Sequence, residues 1–219
     1  MNRPENINSP EVQKECLLEI AEKLYSPEMP YHNFEHAKDT IEAAKKIIER
    51  CKEEGLELDE EVVYYAMLFH DAGYHENHEK LGFRSKEEYS AHLADQEMTK
   101  VKIPDEKIKE VVKTILATHS QAPFVTVEQK IARAADLSGM AAEYELFVEN
   151  NIKLKKEQEL IDGKEISLEA WKQKTKEVIE FYLSQDIHLT DGYQDEEGNS
   201  IFHNKVKENL ARFLKEEEI

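Results

Sequence analysis

Apolar residues recur along this chain at intervals of three and four and nowhere alternate over a useful length, so the pattern predicts helices rather than strands. The first stripe covers residues 11–25 through Val12, Cys16, Leu17, Ile20, Ala21 and Leu24. Ser9 is its N-cap and Pro10 its first helical residue. Ser26-Pro27 and Pro30 break it. Asn33 then caps a long helix from about Phe34 to Glu53, with Ile41, Ala44, Ile47 and Ile48 inward and Gly55 at its end. Asp59 caps the next helix, which carries the most apolar run of the chain, Val62-Val63-Tyr64-Tyr65-Ala66-Met67-Leu68-Phe69, and reaches about Asp71. Residues 73–84 form a polar loop. Ser85 with Glu88 reads as a capping box opening a helix through Tyr89, Ala91, His92, Ala94 and Met98. Pro104 opens a helix with Ile108, Val111, Val112, Ile115, Leu116 and His119 on one face, stopped by Pro123. Thr126 starts another, through Ile131, Ala134, Ala135, Leu137 and Met140. Further amphipathic helices are expected over 141–162, over 167–184 behind Ser167, and over about 201–216, with a turn-rich loop from Asp191-Gly192-Tyr193 through Gly198-Asn199.

The expectation is an all-α, single domain over residues 1–219: a helical bundle with its core at about 28–140 and the C-terminal helices of 141–219 packed on it. Composition supports this, since 7 Gly and 6 Pro leave long uninterrupted stretches rich in Glu, Lys, Ala and Leu. Trp171, on an amphipathic helix, reads as core.

Charge narrows the function. A formal net charge of −18 repels a nucleic-acid polymer or an anionic membrane, so neither is an expected partner. A small phosphorylated substrate stays open, because a bound cation reverses the local field. Cys16 and Cys51 lack metal-type spacing and read as reduced thiols in a reducing compartment. No 18-residue apolar run and no signal-peptide pattern is present, which makes a cytoplasmic location the expectation. The reading leaves room for a homodimer.

The candidate chemistry begins where the apolar run ends, at His70-Asp71-Ala72-Gly73-Tyr74. A carboxylate at the end of a buried helix is costly without a partner, and a metal ion is a good partner when imidazoles are at hand. Two other stretches are placed to complete such a site. In Tyr31-His32-Asn33-Phe34-Glu35-His36 the two histidines are four apart and share a helix face. In Ala134-Ala135-Asp136-Leu137-Ser138 one acid sits among small and aliphatic residues. The alternative roles are a hydrogen-bonded core imidazole for His36 and pairing with Arg133 for Asp136. Together His36, His70, Asp71 and Asp136 make two nitrogen and two oxygen donors. That set suits a divalent transition metal (Mn, Fe, Co, Ni or Zn), with Mg as a further option. No thiolate joins it, which argues against a closed structural zinc site.

The His, His-Asp, distant Asp order, all on helices, resembles the HD superfamily of metal-dependent phosphohydrolases over roughly residues 28–140. Tyr31-His32-Asn33 with His36-Ala37 is similar to the start of the cyclic-nucleotide phosphodiesterase signature. Glu87-Glu88-Tyr89-Ser90-Ala91 after the His-Asp doublet looks more like a branch of small bacterial predicted HD phosphohydrolases, with Asn204 to Ala211 a weaker match to its C-terminal helix. The resemblance implies an HD-type helical bundle and hydrolysis of a phosphoester or phosphoanhydride of a small molecule, foremost a nucleotide, by a metal-activated water. It implies His36, His70, Asp71 and Asp136 as ligands and His32 as the acid that protonates the leaving group. Glu88 either completes the capping box or orients water. His92 and His119 either line the core or hold a second ion bridged by Asp71, for one or two ions in all. His75, His78, Lys80, Arg84 and Lys86 are either solvated or meet substrate phosphate, with Arg84 and Lys86 the leading pair. Two other readings are an HD-type di-iron oxygenase, using His36, His70, Asp71, His92, His119 and Asp136, and a non-catalytic binding protein stabilised by its metal.

Overall fold

The computed structural model describes residues 9–185, 187, 189–190 and 194–218. The chain divides into two compact units, Met1–Asp136 and Leu137–Ile219. Among the described residues there are nine α-helices and no strand, only an isolated bridge between Gln194 and Ser200. No helix among them is long and apolar enough to cross a membrane.

The first unit holds α1 (Pro10–Glu22), α2 (Phe34–Glu53), α3 (Glu60–Phe69), α4 (Lys86–Lys100), α5 (Asp105–Leu116) and α6 (Val127–Asp136). The four N-caps expected there all form. Ser9 accepts from the Val12 N–H, Asn33 from those of Glu35 and His36, Asp59 from those of Glu61 and Val62, and Ser85 from that of Glu88. α3 is the axis of the unit. Its Val62, Val63, Tyr65, Ala66, Met67, Leu68 and Phe69 are all buried, and it packs against every other helix of the unit. An all-round apolar helix has no stable place but an interior one.

α5 and α6 both end earlier than periodicity predicts, and each early end matters for the site. α5 stops at Leu116, short of His119. The cause lies in Arg133 of α6, which is fully buried. Its guanidinium donates to the carbonyls of Thr118, His119, Ser120 and Ala122, so those carbonyls are satisfied outside a helix. α6 stops at Asp136, and the chain tightens into a 3-10 turn over Leu137–Ala141 instead of running on to Met140. Ser138 and Gly139 are weak helix formers there.

The second unit holds that turn with α7 (Tyr144–Asp162), α8 (Leu168–Leu183) and α9 (Ile201–Phe213). Its core is Tyr144, Phe147, Trp171, Ile179, Val206, Leu210 and Phe213. Asn209 of α9 donates to the carbonyls of Met140 and Ala142, fastening α9 to the 3-10 turn. In the loop expected before α9, Asp191, Gly192 and Tyr193 lie outside the described residues. The remainder is a turn in which the Asp195 carboxylate accepts from the backbone N–H groups of Glu197 and Asn199.

Candidate metal centre

Three short stretches, far apart in sequence, deliver four side chains to one place in the first unit. The Asn33 cap fixes the start of α2, which puts His36 one turn in, buried on the same face as Ala37, Thr40 and Ile41. α3 ends at Phe69, and His70 and Asp71 follow as its capping residue and the next. Asp136 is the last residue of α6. His36, His70, Asp71 and Asp136 each offer a ligand atom, and these atoms all lie within 4.8 Å of one another. The His36 and His70 ring centroids are 5.4 Å apart.

Three of the four nitrogen–oxygen separations are long for hydrogen bonds and suit ligands around an ion. Nε2 of His36 is 3.6 Å from Oδ2 of Asp71 and 3.5 Å from Oδ1 of Asp136. Nε2 of His70 is 2.9 Å from Oδ2 of Asp71 and 3.5 Å from Oδ1 of Asp136. Donors about 2.1 Å from a common cation stand roughly 3.0 Å apart in octahedral and about 3.4 Å in tetrahedral geometry. The His36 Nε2, His70 Nε2 and Asp71 Oδ2 atoms are buried and make no aligned hydrogen bond. Three orphaned polar atoms in one interior spot are the mark of a missing shared partner.

The shell around them fixes which atoms face inward. Nδ1 of His70 lies 2.8 Å from the Met67 carbonyl, which can only accept. In the neutral ring Nδ1 therefore carries the proton and Nε2 keeps its lone pair, the tautomer a metal requires. The Tyr25 hydroxyl donates to the Leu68 carbonyl at 3.0 Å, holding the end of α3 from the α1 side. Burial pushes the Tyr25 phenol well up, with the Asp71 charge adding to it. Burial would raise Asp71, but the charge of His70, then that of His32, outweighs it and draws the carboxyl down to about 2. Asp136 follows in the same direction, burial again being overcome by its contacts with His36 and His70. Burial would lower His70, yet the Asp71 charge and the Asp136 carboxylate hold it well above the usual imidazole range. Without an ion, protons are what bind these acids to these bases.

The other expected site residues divide. His32 is half-buried beside the cluster, its ring edge-on to His36 at 5.6 Å between centroids and stacked on Tyr74 at 3.9 Å. Lys86 is the first residue of α4, with its ammonium 3.1 Å from the Tyr74 ring centroid. Arg84 is exposed, and its backbone N–H donates to the Glu88 carboxylate. Glu88 thus takes the capping role, and it also lines a groove between α4 and α5 with Phe83, His92 and Lys113.

His92 and His119 are not brought to the cluster. His92 is exposed against the Phe83 ring, on the side of α4 that borders the groove with α5. His119 lies past the end of α5, with Nδ1 accepting from the Gln121 N–H. The histidines that a second ion at Asp71 would use are thereby engaged elsewhere, and so are those the di-iron pattern needs. Arg133 bonds backbone carbonyls, which accounts for its charge without a role for Asp136 as its partner. Tyr25 and the Met67 carbonyl were missed from sequence. Met67 stands one helical turn before His70, a spacing that could have revealed it, whereas nothing local to Tyr25 points to a partner 43 residues on.

An interior helix ending in a His-Asp doublet, joined by a histidine from the preceding long helix and an acid from a later one, defines a metal-site helical bundle. Residues 33–140 match the family model of the HD domain. The family is one of metal-dependent hydrolase type, mostly phosphohydrolases. No curated protein matches the chain.

Proposed function

We propose that the protein is a metal-dependent phosphohydrolase that cleaves a phosphoester or phosphoanhydride of a small molecule, with nucleotides the leading substrate class. The observation that carries this reading is the convergence of His36, His70, Asp71 and Asp136 with three orphaned buried polar atoms among them. A divalent ion held by these four side chains would supply Lewis acidity, making water a stronger acid near neutral pH and screening phosphoryl oxygens. Mn, Fe, Co, Ni and Zn all suit this donor set, and Mg is a further option.

The protein groups do the rest. His70, fixed by Met67, and His36, fixed by the Asn33 cap, keep their Nε2 atoms turned to the site. His32 stands beside the cluster without belonging to it, which suits a group that gives its proton to the departing oxygen. Arg84, just before the Ser85 cap, and Lys86, the first residue of α4, add their charges to the positive end of the helix and favour a phosphate against an otherwise acidic surface.

The test is hydrolysis of a panel of nucleoside mono-, di- and triphosphates and cyclic nucleotides by metal-stripped protein reloaded with each divalent ion in turn. Metal-dependent phosphate release from at least one nucleotide, abolished by chelation, is the expected result. No turnover with any ion would contradict the reading.

A further inference from the structure

The residues that follow the His-Asp doublet have a geometry of their own. Gly73 takes a left-handed φ of +72° and donates its N–H to the Leu24 carbonyl at 2.9 Å. A Cβ at this position would stand 2.6 Å from Cε1 of Tyr89 and 2.9 Å from Cδ1 of Leu93, so only glycine lets the loop turn this close to α4. Ser90 of α4 donates to the Ala72 carbonyl at 2.9 Å and pins the same turn from inside. The turn delivers Tyr74 to His32, the rings lying nearly parallel at 14° with centroids 3.9 Å apart. The Lys86 ammonium lies 3.1 Å from the same Tyr74 centroid. An ammonium that close on the side of the imidazole would overlap it, so the two must occupy opposite faces of Tyr74. The result is a three-layer stack of imidazole, phenol ring and ammonium. His32, at the inner end, is edge-on to His36 of the four-residue cluster.

We propose that Tyr74 is a positioning residue for His32: clamped by Lys86 on its far face, its ring fixes the His32 imidazole beside the four-residue cluster. This inference rests on the reading of His32 as the proton donor to the leaving group. A single imidazole on a loop before a helix cap has two free side-chain torsions. A flat ring on one face and His36 at its edge remove most of that freedom, and a proton donor misplaced by about 1 Å loses on the order of 100-fold in rate. The stack is made by the face of the ring, so phenylalanine should preserve it.

The experiment has two arms on the full chain, with Tyr74→Leu, Tyr74→Phe, His32→Ala and the His32→Ala/Tyr74→Leu double variant. In the first, NMR of the histidine ring protons reads the stack without any need for activity. An upfield ring-current shift of the His32 protons is expected in wild type and Tyr74→Phe and is lost in Tyr74→Leu, with metal content unchanged in all. An unshifted His32 in wild type, or a shift that survives Tyr74→Leu, overturns the proposal. In the second arm, manganese-loaded protein hydrolyses a panel of nucleoside 5′-monophosphates and cyclic nucleotides, whose alkoxide leaving groups need a proton as they depart. Tyr74→Leu is expected to lower kcat by about 10²-fold with KM little changed, Tyr74→Phe to restore it, and the double variant to be no slower than His32→Ala alone. Losses that multiply in the double variant would show that Tyr74 acts apart from His32 and overturn the proposal. Wild-type protein that turns over no phosphoester would sink the hydrolase reading, and the NMR arm would then decide alone whether Tyr74 holds His32.

Discussion

The two units fill their interiors with different materials. In residues 137–218, Phe147, Phe213, Ile179 and Val206 close around Trp171 and Tyr144. The polar groups buried with them mostly bond inside the protein, Thr175 donating to Asn151 and Asn209 to two carbonyls. The Trp171 indole N–H, the Asn209 carbonyl oxygen and the Thr190 hydroxyl are among those left over, and none joins a set of convergent ligand groups. In residues 9–136 an equally apolar helix, α3, ends in a cluster of two imidazoles and two carboxylates whose inward atoms also lack hydrogen-bond partners, but which converge within 4.8 Å. An interior that wanted only stability would be cheaper to fill with hydrocarbon, since buried charge pairs often break even at best. The contrast separates a core built for packing from a centre built for a ligand.

The largest expected effect strikes the centre alone. Asp71→Ala removes a carboxylate that lies against both His36 and His70, and should weaken binding of a divalent ion by about 10³-fold or more. Isothermal titration of metal-stripped protein measures it, and an affinity within a few-fold of wild type would remove Asp71 from the ligand set. The matching blow to the other interior is Phe213→Ala. That side chain is fully buried, edge-on to Phe147 at 5.7 Å, and its loss should cost about 3–4 kcal/mol by urea denaturation, equally at pH 5 and pH 8. A strongly pH-dependent cost would tie the packing of Phe213 to the buried Glu157 and Lys172 of the same unit.

The centre, by contrast, should respond to pH in opposite senses with and without metal. In metal-free protein His70 is held above its ordinary 6.5, so its contribution is fully present below about pH 6.5 and is lost as pH rises through its raised value. Asp71, drawn from 3.8 to about 2, contributes on the order of 2 kcal/mol above about pH 4, and this is lost as pH falls through 2. Metal binding needs neutral imidazoles and releases their protons, so affinity climbs with pH over the range in which the metal-free protein weakens. Melting temperatures from pH 5 to pH 9 with manganese and with chelator should therefore diverge as pH rises, and parallel curves would contradict the cluster's role. The smallest effect sharpens the comparison at its edge. Ser90→Ala removes a buried hydrogen bond to the Ala72 carbonyl and should cost about 1–2 kcal/mol, read by the same denaturation, while leaving ion stoichiometry intact.

Much of this was legible in the chain. The stripe of α2, the caps at Asn33, Asp59 and Ser85, and the unbroken apolar run of α3 are local signals. Helix starts are set by side chains within three residues. The four cluster residues could also be named, because a carboxylate at the end of an interior helix demands partners wherever they lie in sequence. Helix ends were harder. The stop of α5 before His119 depends on Arg133, which arrives from the next helix, and no window around residue 116 contains it. The same blindness hid the exposure of His92, since the face of α4 turned to the core depends on how α4 packs on α5 and on the Gly73 turn. It also hid the Tyr74 stack, which exists only because a left-handed turn and a helix start meet in space.

The most direct measurement is a crystal of manganese- or zinc-loaded protein with anomalous data collected at the metal's absorption edge. The account predicts a strong anomalous peak within about 2.0–2.3 Å of Nε2 of both His36 and His70 and of a carboxylate oxygen of both Asp71 and Asp136. A map with no peak among these four side chains, from protein that elemental analysis shows to be metal-loaded, would contradict it.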